Sequence, residues 1–160
     1  MSKAIFMETT GVSVQRTVSE IVGELVSSGA TAVNTDYKDG RVSGLRWVMR
    51  IGEKDVLFDM PVRIEPVFRL LEARAKRPRA DFREKAMRDA ERIAWRQLLR
   101  WVQAQNAMIQ TSMVSAAEVY LPYRVVNASG TTLYQWLTET KFKMIEAPRR
   151  TNHEIDQNSD

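Results

Sequence analysis

The sequence predicts an α+β fold: a small antiparallel sheet in a β-α-β-β-β order, packed with a long helix in the C-terminal half and with short helices. Three observations carry this. Two turn signals, Lys38-Asp39-Gly40 and Gly52-Glu53-Lys54-Asp55, separate three β-rich runs, which gives an antiparallel meander. From Glu65 onward the apolar residues switch to helical spacing. The composition, 44% hydrophobic and 28% charged over 160 residues, is that of one ordinary globular domain.

Taken in order, residues 4–9 (AIFMET) are short and β-compatible and are read as a first strand. Thr17 and Glu20 form a T-x-x-E capping box before Val18, Ile21, Val22, Leu25 and Val26, so a helix is expected over about 17–28, closed by Gly29. Residues 30–37 read as a strand and RVSGLRWVMRI as its hairpin partner. Apolar alternation in the partner begins only at Leu45, which predicts a bulge near Gly44. KDVLFDMPV is the third strand of the meander, stopped by Pro61. A helix begins near Glu65-Pro66, and Pro78 interrupts it.

Asp81 fits an N-cap for one long helix over about 82–110. Its apolar stripe runs through Phe82, Ala86, Ala90, Ile93, Ala94, Leu98, Trp101, Val102, Met108 and Ile109. Trp101 lies on the stripe and is expected in the core. Trp95 is one position off it, a candidate to pack on the last helix. Ser115 with Glu118 caps a short turn, and Thr131 or Thr132 caps a last short helix, LYQWLTET. Residues 1–146 are thus read as one domain and 147–160 as a flexible polar tail.

Composition also narrows the chemistry. With no Cys, thiolate metal sites, disulfides and cysteine nucleophiles are excluded. The single His153 lies in the tail, a poor place for a catalytic base. No GxGxxG or P-loop pattern occurs. The chain is read as non-enzymatic, without cofactor or metal. No apolar run is long enough to span a membrane, and the start (MSKAIFMETTGVSVQ) lacks a signal-peptide core, so a cytoplasmic protein is expected. Asp36 with Asp39, and Asp55 with Asp59, keep a Mg²⁺-dependent nuclease as a lesser alternative. Asp55 and Asp59, however, share one face of a strand with Leu57, opposite Val56, Phe58 and Met60, which reads as the solvent side of an amphipathic strand.

The net charge of +4 is unevenly spread. Residues 1–73 and 101–160 are each −1, whereas residues 74–100 hold ten basic and four acidic residues, +6. The candidate nucleic-acid-binding residues are Arg74, Lys76, Arg77, Arg79, Arg83, Lys85, Arg88, Arg92 and Arg96, with Arg100 completing the cluster. Arg88, Arg92, Arg96 and Arg100 are spaced by four, as a slowly drifting ridge on one helix. Arginine's planar fork matches phosphate oxygens. The competing reading is a solvated face neutralised by Asp81, Glu84, Asp89 and Glu91 at helical spacing. Among aromatic residues able to stack on bases, Tyr37 and Tyr123 are the candidates for exposure.

The segments AERIAWRQLLRWVQAQ, EVYLPY and GTTLY, with the TVSEIVGELVSSGATAV start, resemble a family of small bacteriophage and prophage proteins over roughly residues 10–137. The resemblance implies a phage or mobile-element protein made in a bacterial cytoplasm; it implies no activity and no functional residues. The function expected is an accessory in replication, recombination or repair that binds DNA mainly through phosphates. The alternative is a protein–protein module, such as an inhibitor of a host defence system or an assembly component, with a host or phage protein partner. Self-association into a homo-oligomer is a further expectation.

Overall fold

The computed structural model describes residues 4–75 and 81–142. The expected opening strand over 4–9 does not form. The Glu8 amide donates to the Ile5 carbonyl at 3.0 Å, and the Ile5 amide donates to the Glu8 carboxylate at 2.7 Å. Met7 is left-handed at φ 65°. The segment therefore closes on itself as turns, because its carboxylate satisfies local donors that a strand would offer to a neighbour.

Helix α1 runs Val14–Ser27 and starts a turn earlier than the capping-box reading predicts. Ser13, not Thr17, is the N-cap, accepting from the Arg16 amide at 3.3 Å. Thr17 is fully buried, and its hydroxyl donates to the Ser13 carbonyl at 3.1 Å. Both residues are good caps; burial of Thr17 beside Val18, Ile21 and Leu25 decides between them. Gly29, at φ 99°, ends the helix as expected.

Strands β1 (Ala30–Lys38), β2 (Arg41–Ile51) and β3 (Lys54–Pro61) form an antiparallel meander in the order β1-β2-β3. Asp39 and Gly40 both have positive φ, the geometry of a two-residue primed turn. Asp36 faces Gly44 while Tyr37 faces Val42, so Ser43 is an extra residue and the predicted bulge is present. One sheet face carries the buried Leu45, Trp47, Met49, Phe58 and Met60. Asp55, Leu57 and Asp59 lie on the other face of β3, the more exposed one.

Helix α2 (Glu65–Arg74) begins where expected but ends before Pro78, with Ala75 already extended, and helix α3 (Phe82–Gln110) follows its expected boundaries. Asp81 occupies the N-cap position of α3 but makes no side-chain capping bond. The burial of α3 departs from a single stripe. In its first half, Ala86, Ala90, Ile93 and Ala94 pack with Val67 and Phe68 of α2 in one cluster. Further along, Trp95, Leu99 and Val102 join α1 and the sheet in a larger cluster. The buried side rotates along the helix because its neighbour changes. The tryptophan expectation is corrected accordingly: Trp95 is fully buried in the main core, and Trp101 is only half-buried at its edge.

Helix α4 (Ala116–Tyr120) carries the predicted Ser115–Glu118 capping box. A 3₁₀ turn follows, Leu121–Tyr123, and places Tyr120 edge-on to Trp47 at 5.2 Å. The Val125 amide donates to the Leu57 carbonyl at 2.9 Å, covering part of the outer edge of β3. Helix α5 (Leu133–Glu139) is capped by Thr132 with Gln135. No helix among the described residues is long and apolar enough to cross a membrane.

Candidate nucleic-acid interface

Lys76, Arg77 and Arg79, like the tail over 147–160 with His153, lie outside the described residues. The other members of the basic stretch go to different places. Arg74 ends α2 and pairs with Glu8 at 3.1 Å. The Ile5 amide first, and Arg74 as well, hold the Glu8 carboxyl below its usual range. Arg83 reaches back to Glu72 at 2.6 Å, with its guanidinium over the Phe68 ring at 5.4 Å, so it ties α3 to α2. Lys85 is exposed and forms no ion pair among the described residues. Arg88 pairs with Glu84, and Arg92 with Asp89, both within the helix. Arg100 is exposed and donates to Gln103 at 2.8 Å.

Arg96 leaves the ridge. A step of four residues advances the helix about 40° beyond a full turn, so Arg96 sits roughly 80° from Arg88. That rotation carries it against α1, where it is 8% exposed and donates to Glu20 at 2.9 Å and the Thr17 hydroxyl at 3.4 Å. Spacing by four thus yields two outward arginines, Arg88 and Arg92, then an inward one.

Arg88 and Arg92 meet residues from two distant segments. They line a cavity of about 300 Å³ with Arg41 of the β1–β2 hairpin, Tyr37, and Ser13, Val14 and Gln15 at the start of α1. The first turn of a helix leaves amide donors without intrahelical acceptors. Here the Val14 and Gln15 amides have no acceptor among the described residues. Trp95 forms part of the wall, and its Nε1 is likewise buried without an acceptor. Arg41 pairs with Glu91 at 2.9 Å, and Glu91 is 15% exposed, so this pair fixes the hairpin to α3. Beside it, the Tyr37 ring is 69% exposed, as expected; Tyr123 instead packs edge-on against Trp101 at 5.8 Å.

The acidic partners matter to what this side can do. Glu84 is 74% exposed, and ion pairs between exposed side chains contribute about 0–1 kcal/mol. At Arg88 a phosphate can replace such a partner at little cost, whereas Arg41 and Arg92 keep the less exposed Glu91 and Asp89 beside them. Helix amides, three guanidiniums and an exposed ring line one space, with Glu91 as its one carboxylate among the described residues, and the positive excess suits a phosphate with an adjoining base. Arg41 and the start of α1 were not legible as site residues, because nothing in the local pattern links residues 13–15, 41 and 88–92.

The carboxylate pairs do not converge. Asp36 is held bidentately by Arg46, and Asp55 pairs with Arg50 at 3.0 Å. The Asp59 carboxyl is raised by burial first and then by Asp36, against the pull of Arg46. Among the described residues no group of three metal-ligating side chains forms. No family model, curated protein or solved structure matches the chain.

Proposed function

We propose that this protein binds nucleic acid through phosphates, as an accessory of phage or mobile-element DNA metabolism in a bacterial cytoplasm. The observation that carries the reading is the convergence of Arg41, Arg88 and Arg92 with the unpaired Val14 and Gln15 amides on one cavity beside an exposed Tyr37. Lys85 and the basic residues 76, 77 and 79 extend the same charge along the chain. Tyr37 favours single strands, whose bases are free to stack.

The test is fluorescence anisotropy of a labelled oligonucleotide, single-stranded and duplex, at two salt concentrations. Binding should weaken steeply with salt, because neutralised phosphates release counterions. The double variant Arg88→Ala, Arg92→Ala should lose about tenfold or more in affinity and keep its stability within about 0.5 kcal/mol. Tyr37→Ala should weaken single-strand binding by about 1–3 kcal/mol and leave duplex binding nearly unchanged. Arg96→Gln is the control: it should lower stability and leave affinity per folded molecule alone. No binding at low salt, or full affinity in the double variant, rules the reading out.

A second reading, a protein–protein module, is favoured by one feature. The sheet face bearing Leu57, 38% exposed, has no helix packed on it among the described residues, and Val126, 40% exposed, lies just beyond the Val125 contact at the β3 edge. A discrete protein retained from nuclease-treated host lysate, and lost on Leu57→Lys, would support this reading over the first.

A further inference from the structure

A second and larger cavity, about 490 Å³, lies on another side of α3. It is walled by Leu98 and Trp101 of α3, Pro122 and Tyr123 of the 3₁₀ turn, and Tyr134 of α5, with Arg63 from the β3–α2 link. Ala94, Gln97, Leu98 and Trp101 form one helical row, whereas Arg88, Glu91, Arg92 and Trp95 form another, so the two cavities use different faces of the helix.

Two properties define what it accepts. The walls are aromatic and set at an angle: Trp101 and Tyr123 meet at 70° with centroids 5.8 Å apart. That corner offers a flat ring one face to stack on and another to meet edge-on. The charge is a lone cation. Among the described residues, Arg63 pairs with no carboxylate and no Asp or Glu lines the cavity. Its guanidinium is held instead over the Tyr134 ring, 5.9 Å from the centroid, which orients it without neutralising it. The arginines of α3 each hold a carboxylate or an amide; Arg63 has no such partner among the described residues. The Gln97 amide nitrogen is anchored on the Phe6 carbonyl at 2.8 Å, leaving its oxygen as an acceptor, and the Gln135 nitrogen has no acceptor among the described residues. The volume falls within the range of small-molecule sites.

We infer that this cavity binds a small organic anion built as a flat ring system with one anionic group, the ring against Trp101, Tyr123 and Tyr134 and the anion on Arg63. Aromatic carboxylates and nucleoside monophosphates share that chemistry. The site is independent of the interface on the Arg88 face.

The full-length protein is titrated with naphthalene-1-carboxylate and with adenosine 5′-monophosphate, read by ligand-observed NMR. 1-Naphthalenemethanol and adenosine serve as uncharged counterparts. At least one anion should bind, about tenfold more tightly than its counterpart. Whichever anion binds identifies the source. Arg63→Gln, an exposed position, should reduce the anion to the affinity of the uncharged compound. Leu98→Trp should abolish binding by filling the cavity. Arg88→Ala with Arg92→Ala should leave it unchanged, so this site stands even where nucleic-acid binding fails. The inference is overturned when neither anion binds, when the uncharged compounds bind as well, or when folded Arg63→Gln protein binds like wild type.

Discussion

Arg92 and Arg96 are one turn apart, yet the first meets solvent and the second the core, and a similar divergence runs through the other polar residues. Asn106 is 1% exposed, and its Nδ2 donates to the Glu24 carbonyl at 2.9 Å and the Glu24 carboxylate at 3.0 Å. Its Oδ1 accepts from the Tyr120 hydroxyl at 3.2 Å. One buried amide thereby ties α1, α3 and α4 together, and its bond to Tyr120 is made where water is excluded. Burial first, and the Glu24 charge second, push the Tyr120 phenol up to about 12 from an ordinary 10.0. Between those values the unfolded chain loses the phenolic proton while the folded chain keeps it, so stability is complete below pH 10 and falls as pH rises toward 12. Urea unfolding at pH 8 and pH 11 should show wild type losing more stability than Tyr120→Phe. At pH 8 the variant should already be weaker by about 1–3 kcal/mol, because Asn106 Oδ1 is left without a donor. Equal losses on going to pH 11 would show that this phenol does not govern the alkaline limb.

Among the elements, β2 is the most constrained, because it is paired on both sides and buried on one face. At its bulge a Cβ added to Gly44 would stand 3.0 Å from the Met60 carbonyl oxygen and 3.2 Å from the Pro61 Cα. Both contacts are backbone, so neither can swing aside. Gly44→Ala is therefore expected to lower stability by about 1–3 kcal/mol. Gly23, inside α1 with open space around it, gives the contrast: Gly23→Ala should raise stability by up to about 1 kcal/mol, since Ala has the better helix propensity. Chemical denaturation of both variants decides it, and a neutral Gly44→Ala would mean the β2–β3 spacing can relax. Features of this kind were legible in the sequence. The late start of alternation in β2 announces a bulge, and Asp39-Gly40 announces the hairpin, because local backbone chemistry decides both. Thr17 was misread as a cap because two adequate caps lie four residues apart and only tertiary burial chooses between them.

At the scale of the whole molecule, the described residues form two clusters strung on one helix. The larger gathers α1, the sheet, α4 and the later part of α3; the smaller is Val67, Phe68, Ala86, Ala90, Ile93 and Ala94 between α2 and the first half of α3. A periodicity read along residues 82–110 recovers the helix but merges its two buried sides into one stripe, which is why Trp95 and Trp101 were placed the wrong way round. The candidate interface was legible only in half: the Arg88–Arg92 charge is in the local sequence, whereas Arg41 and the start of α1 arrive through the packing of α1 and the hairpin against α3. The division also predicts how the protein opens. In the smaller cluster three of the six residues are alanines, so Phe68, 4% exposed, supplies much of its apolar surface. Removing that ring costs about 3–5 kcal/mol in the cluster that holds it. Native-state hydrogen exchange of Phe68→Ala should therefore show lost protection in α2 and in α3 as far as about residue 92, while Leu45–Met49 of β2 keep most of theirs. Equal loss at every amide would instead mean that α3 transmits the defect along its length and that the two clusters unfold as one unit.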